Sequence, residues 1–274
     1  MAAPVFLDIR KVAATNITRS TIGFLDCSGD VPKSLGSATF VQFGNVPGLL
    51  TCAHVAYALE ERAQRGEEDI GIVMFPARKG AIQNTLIKVS HLKITRIGDP
   101  PFETETGPDI AFIALPAMYA GTLQAQASIV NGDLQSERSR TPQPQLETIE
   151  VVAGVVAQWI TTESKGDNRI LARVEALGTT GRLRSQRDAE GYDTLEFDIE
   201  PDQQVTLPET FGGTSGGGIW RLFYELDGNG DIVVKERRLT GVAFFEKPGQ
   251  IIGHGPTTIY RHLIDRLSIA GRVG

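Results

Sequence analysis

The chain has 274 residues, 41% hydrophobic and 7% aromatic, with 30 glycines and 14 prolines, the composition of a globular protein long enough for two packed cores or one large one. It contains nothing near the ~20 consecutive apolar residues of a membrane span, and its opening, MAAPVFLDIRKVAATN, lacks the long apolar run of a secretory signal. A net charge of −6 disfavours nucleic acid, which needs a clustered basic surface, so the expectation is a cytoplasmic protein with neither membrane nor nucleic acid as partner. The two cysteines, Cys27 and Cys52, do not contradict this: one pair is no disulfide framework, there is no C-x-x-C, and two cysteines cannot form a four-ligand zinc site without His or carboxylate help.

In chain order, the first half is a succession of short β patterns. SATFVQF, GLLTCAHV, DIGIVMF, TLIKVSHLKITRI and DIAFIALP run through residue 116, rich in β-branched or aromatic residues and bounded by Gly, Pro, Asn or Asp. AHVAYALEERAQR interrupts them with helical spacing. The polar stretch SIVNGDLQSERSRTPQPQLE, carrying Pro142 and Pro144, reads as a linker over 131–147. After it come TIEVVAGVVAQWITT, NRILARVEAL, DTLEFDIEP, GGIWRLFYEL and DIVVKERRLTGVAFF. GPTTIYRHLIDRLSI closes the chain as an amphipathic helix at about 257–268, with Ile259, Leu263 and Leu267 on one face. Many short strands separated by turns suggest barrels or sandwiches rather than an alternating βαβ fold, so two β units are expected, at 1–130 and 148–274. The run Arg182, Arg184, Arg187 reads as a solvated loop or strand edge. In LDGNGDIVV, Asp227, Asn229 and Asp231 alternate like calcium ligands, but Ile232 stands where such a loop needs glycine; a hairpin turn is expected, and no metal.

The segment FGGTSGGGIW (Phe211 to Trp220) places five glycines around one Thr-Ser pair. Glycine loses more conformational entropy on folding than any other residue. The cluster is therefore either a flexible surface turn or a serine nucleophile on a tight turn, with free N–H groups facing a developing negative charge. The second reading requires a base and a carboxylate to orient it. Of the four histidines, His262 lies in the terminal helix, His254 in a turn beside two glycines, and His91 in a strand pattern. His54 closes the apolar strand GLLTCAHV beside the small Ala53, either as a core histidine or as an imidazole free to reach across a cleft. Asp109 precedes the apolar run of GPDIAFIALP, either capping its Gly-Pro turn or orienting an imidazole; burial there is costly unless the carboxylate is hydrogen-bonded.

The order His54, Asp109, Ser215 is that of the chymotrypsin-type triad, not of subtilisin or the α/β-hydrolases. With GSATFV…LLTCAHV, GPDIAFIALP, GGTSGGGIW, LTGVAFF and PTTIYRHLIDRL, the chain resembles trypsin-like serine peptidases of the chymotrypsin fold, in the style of intracellular bacterial members. The resemblance spans most of the chain, thinly between motifs. It implies an all-β fold of two six-stranded antiparallel β-barrels with a C-terminal helix, the first barrel carrying His54 and Asp109 and the second Ser215. It implies a serine endopeptidase without cofactor, in which Ser215 is the nucleophile, His54 the general base and Asp109 its orienter. The N–H groups of Gly213 and Ser215 would form the oxyanion hole. Thr214 stands where proteolytically activated members have Asp, and Val55 where a stapling cysteine often follows the histidine; both departures fit a reducing interior. Glu209, six residues before the nucleophile, matches the pocket-floor position that selects Lys or Arg. Its longer side chain can pair with a basic residue, fill the pocket or point to solvent, and Phe244 and Phe245 on the expected pocket wall would favour apolar side chains instead. The partners implied are a protein or peptide substrate and, because the turn is glycine-rich and lacks the activating Asp, an activating partner protein. A non-catalytic peptide-binding module and a serine esterase are the alternative functions.

Overall fold

The computed structural model describes residues 3–29, 31–75, 83–102, 107–165, 169–189, 191–200 and 207–271. After helix α1 (Ala3–Thr18) come strands β1 (Thr21–Asp26), β2 (Lys33–Phe43) and β3 (Val46–Thr51), then helix α2 (Ala53–Gln64). Strands β4 (Asp69–Met74), β5 (Gln83–Lys88), β6 (Lys93–Ile97) and β7 (Ile110–Ala114), helix α3 (Ala117–Gln124) and the short β8 (Val130–Asn131) complete the first half. Its sheet runs β5-β4-β1-β2-β3-β7-β6, antiparallel throughout, with β8 added parallel to β2. Helix α4 (Gly132–Arg140) leads to β9 (Glu147–Val155) and a separate hairpin of β10 (Thr161–Lys165) and β11 (Arg169–Arg173). Strands β12 (Ala176–Ala189), β13 (Tyr192–Ile199), β14 (Gly218–Leu226), β15 (Ile232–Lys247) and β16 (Gln250–His254) follow. They close a six-stranded barrel in the order β12-β13-β16-β15-β14-β9. A π-type turn, Thr258–Leu263, runs into the terminal helix α5 (Ile264–Ile269). Two barrel-like halves and a C-terminal helix are the mostly-β arrangement expected from the sequence. The strand number differs, since six were expected in each half and, among the described residues, the first sheet has eight because β5 and the short β8 extend it, while the second barrel has six.

Each half has its own apolar filling. Phe24, Phe40, Phe43, Leu49, Leu50 and Phe112 are fully buried in the first, with Phe43 and Phe112 edge to face at 5.4 Å. Val152, Leu195, Phe197, Ile219 and Ile251 fill the second. Burying each such side chain stabilises the fold by roughly 1.5–3 kcal/mol. β7 reads Ile-Ala-Phe-Ile-Ala, and all five residues are buried. It has no polar face because it pairs with β3 and β6 and also packs against the Thr258–Leu263 turn. The halves dock through β1 and β2 against β9, where small residues let backbones approach: a Cβ on Gly23 would lie 2.6 Å from Val155 Cγ2.

Three elements differ from the sequence reading. The opening segment, read only as not being a signal, is α1, which buries Ala13 and Ile17 and touches both halves through β1, β9, β12 and β15. The 131–147 stretch contains α4, capped by Asn131, whose side-chain oxygen accepts from Leu134 N at 2.9 Å. β3 ends at Thr51, so His54 stands in the first turn of α2 rather than at the end of a strand. That helix is fastened to the sheet by Arg62, whose guanidinium forks onto the Asp26 carboxylate at 2.7 and 2.8 Å. The LDGNGDIVV segment is a β14–β15 hairpin turn in which Asp227 Oδ1 accepts from the N–H groups of Asn229 and Asp231. No helix among the described residues is long and apolar enough to cross a membrane.

Candidate active site

The start of α2 has no side-chain cap from Cys52, the residue before it. Asp109, just ahead of β7, supplies one from across the sheet. Its Oδ1 accepts the backbone N–H of His54 at 2.9 Å, and its Oδ2 lies 2.6 Å from His54 Nδ1. One carboxylate thus holds both the main chain and the ring of the same histidine. The Asp109 side chain is 5% exposed and that of His54 31%, so the ring is partly open to solvent while its partner is buried. The cap it supplies is at the start of α2, whereas the sequence suggested one at its own Gly-Pro turn.

Asp109 has its own support. Its backbone N–H donates to His254 Nε2 at 2.9 Å. His254 is not the turn residue expected from its neighbouring glycines; it ends β16, is fully buried, and stacks on Phe244 at 4.2 Å and 9°. Because Nε2 accepts, the proton of the neutral ring sits on Nδ1. That atom is buried without a well-formed hydrogen bond among the described residues. The nearby Asp193 carbonyl, already taken by Gly255 N, favours the proton there without meeting it squarely. Burial pushes the His254 pKa from 6.5 to about 4, against the opposing pull of Asp109 and Asp193. A signal for this role was present in QIIGH, where apolar residues run straight into the histidine.

The Phe211–Trp220 turn docks beside the start of α2. Ser37 N donates to Ser215 O at 2.7 Å, and Ser37 O accepts from Thr51 Oγ1 at 2.6 Å. Gly216 N and Cys52 Sγ share the Ala243 carbonyl as acceptor, at 2.7 and 2.9 Å. These links bring the Ser215–Gly216 backbone against Thr51–Cys52, two residues short of His54. Among the described residues no hydrogen bond joins the His54 ring to the Ser215 hydroxyl; such bonds are often loose until substrate binds. Gly213 has φ +92°, a conformation that glycine adopts at no steric cost. Gly216 and Gly217 are needed for close docking: a Cβ would fall 2.0 Å from Ser37 O at the first and 2.1 Å from Ala153 O at the second. The N–H groups of Gly213 and Ser215 find no acceptor among the described residues. Thr214 is buried, and its hydroxyl donates to Phe211 O at 2.6 Å.

Behind this turn lies a cavity of about 250 Å³ lined by Phe211, Thr214, Ser215, Phe244, Phe245 and Glu246, among others. Phe244 and Phe245 line it. Glu209 does not; it is exposed and lies outside the lining. The carboxylate at this cavity belongs to Glu246, whose Oε2 accepts from Phe211 N at 2.6 Å. Its place on β15, one residue past Phe245, was readable only once the wall strand was known.

Cys52, His54 and Asp109 offer donor atoms all within 4.8 Å of one another, the set that would hold a soft cation. Its chemistry favours protons instead. The Cys52 thiol donates to Ala243 O, and burial, then the charge of Asp109, push its pKa well up, which disfavours the thiolate a metal needs.

No protein-family model matches the sequence, and no curated protein matches it. Solved structures with a similar course of the chain include Rv3671c from M. tuberculosis H37Rv as a serine-to-alanine mutant in an inactive form, with 13% identity, 100% of this chain and 94% of that chain covered, and a TM-score of 0.44. A second structure of the Rv3671c protease, also an inactive form, has 12% identity, 97% and 95% coverage and a TM-score of 0.44. A structure concerned with the Sesbania mosaic virus VPg protein has 13% identity, 89% and 90% coverage and a TM-score of 0.40. At these identities and scores the likeness says nothing of substrate or catalysis.

Proposed function

We propose that the chain is a serine endopeptidase in which Ser215 attacks a peptide carbonyl, His54 moves the proton and Asp109 orients His54. The observation that carries this reading is the two-point grip of the Asp109 carboxylate on His54, at 2.9 and 2.6 Å, beside a turn whose Gly213 and Ser215 N–H groups are unengaged among the described residues. Asp109 keeps the Nδ1 proton in place, so Nε2 is the basic nitrogen facing the cleft. His54 takes the Ser215 hydroxyl proton as Oγ bonds to the carbonyl carbon. The oxygen that becomes negative is met by the N–H groups of Gly213 and Ser215. His54 then protonates the leaving amine, and water, deprotonated by the same imidazole, releases the acyl group from Ser215. A reducing compartment is part of this reading, since Cys27 and Cys52 are both free thiols.

The test is labelling with a fluorophosphonate, followed by digestion of a peptide library. Wild type is expected to be labelled at Ser215 and to cleave internal peptide bonds, while Ser215→Ala, a change at a partly exposed hydroxyl, stays folded, is not labelled and loses turnover by several orders of magnitude. No labelling of folded wild type would make the chain a peptide-binding module. Labelling with cleavage of activated esters alone would make it an esterase.

A further inference from the structure

The turn that presents the two N–H groups is held by its carbonyls. In a trans peptide the C=O and N–H point in opposite directions, so anchoring a carbonyl on one side aims the N–H of the same peptide to the other. Gly212 O accepts from Ala157 N at 2.8 Å, which directs Gly213 N–H away from Ala157; Thr214 O accepts from Gly217 N at 2.8 Å, which does the same for Ser215 N–H. Between them lies the Gly213–Thr214 peptide, whose carbonyl accepts from Ser37 Oγ at 2.7 Å. Of these three anchors, only Ser37 comes from the first half of the molecule, on β2.

We infer that the Ser37 hydroxyl is the positioning residue of the oxyanion hole, and that it makes the hole depend on docking of the two halves. The inference rests on the protease reading above. The direction of the hydrogen bond is fixed by bookkeeping of protons. Ser37 Oγ also accepts from Val155 N at 2.7 Å; an amide can only donate, and a hydroxyl has one proton, so that proton is committed to Gly213 O. Ser37 is fully buried, and its own N–H holds Ser215 O at 2.7 Å. One residue of β2 therefore grips the turn on both sides of Thr214 while joined to β9 of the second half. Where proteolytically activated relatives of the resembled family place an aspartate in this turn, the chain has Thr214, whose hydroxyl is spent within the turn on Phe211 O. Ser37 supplies the restraint from outside. Removing its hydroxyl leaves Gly213 O and Val155 N without partners. The Gly213–Thr214 peptide, which lies between the two that carry the hole's N–H groups, then keeps only the bond from Thr214 N to Phe211 O at 2.9 Å, and Gly213, free of a Cβ, lets it tilt.

The experiment compares wild type, Ser37→Ala and Ser37→Cys on one peptide substrate, with thermal unfolding and the low-field NMR proton signal of the His54–Asp109 hydrogen bond as controls. Ser37→Ala is expected to lower kcat by about 10²-fold, the scale of one lost oxyanion donor, with KM nearly unchanged. The affinity for a peptide aldehyde, which mimics the tetrahedral oxyanion, should fall in parallel, while the His54–Asp109 signal persists. Ser37→Cys keeps the side chain's shape with a somewhat larger atom and weakens the donor, so it should lose kcat in the same direction even if the alanine variant folds poorly. A folded Ser37→Ala or Ser37→Cys with wild-type kcat and aldehyde affinity, or one whose loss lies wholly in KM, overturns the inference and leaves the protease reading standing. A wild-type chain that neither cleaves peptides nor is labelled at Ser215 overturns both.

Discussion

His254 gives the protein an acid sensitivity with a predictable size. In the folded chain its pKa is lowered by burial to about 4, against an unperturbed 6.5. The ring is neutral when buried and readily protonated when exposed, so acid favours the unfolded chain. The contribution is fully present above the unfolded value and is lost as the pH falls from 6.5 towards about 4. From about pH 7.5 to about pH 5 the unfolded chain gains nearly one proton here and the folded chain almost none, which lowers stability by about 2 kcal/mol; the whole window corresponds to about 3 kcal/mol. Protonation would also set a second N–H donor against Asp109 N, where the structure has an acceptor. The comparison is with His254→Gln, whose side-chain oxygen can accept from Asp109 N but does not titrate. Its absolute stability should be lower, since the stack on Phe244 is lost. Urea unfolding of both proteins at the two pH values gives four free energies, and titrating groups that do not interact with His254 cancel in the double difference. Wild type should lose about 2 kcal/mol more than the glutamine variant over that interval. Equal losses in the two proteins would show that His254 is not held neutral by the fold, and would remove the reasoning.

Asp109→Asn is expected to lower turnover by about 10⁴-fold, because an amide that donates to His54 Nδ1 fixes the wrong tautomer; kcat at neutral pH, with circular dichroism to confirm folding, checks it. Glu246→Gln should change the residue preferred on the acyl side of the cleaved bond, and Glu209→Gln should not, since only Glu246 lines the cavity beside Ser215. Mass spectrometry of library digests reads both, and an altered profile for Glu209→Gln alone would return specificity to that position.

Local pattern was enough for the β character of the chain and for naming His54, Asp109 and Ser215 as candidates. Strand periodicity, turn residues and the glycine cluster act over a few neighbours, and the order of three short motifs follows from the sequence itself. Tertiary structure alone decided the rest. α1 carries Phe6, Ile9, Ala13 and Ile17 at helical spacing, yet only packing decides where that helix lies: Ala14 meets Gly178, and Asn16 O accepts from Arg237 Nη1 at 2.6 Å. α4 lies in a stretch whose mean composition is that of a loop, and its start depends on the cap from Asn131. Glu209 had the right spacing from Ser215, but spacing does not say which way a loop turns; the barrel strand β15 brings Glu246 to the cavity instead. His254 reaches Asp109 across 145 residues, and Ser37 reaches Gly213 across 176. Each of these two residues looks ordinary among its chain neighbours. Their roles arise because burial leaves one backbone N–H at Asp109 and one carbonyl at Gly213 to be satisfied, and only the folded arrangement of the two sheets determines which distant side chain arrives to satisfy it.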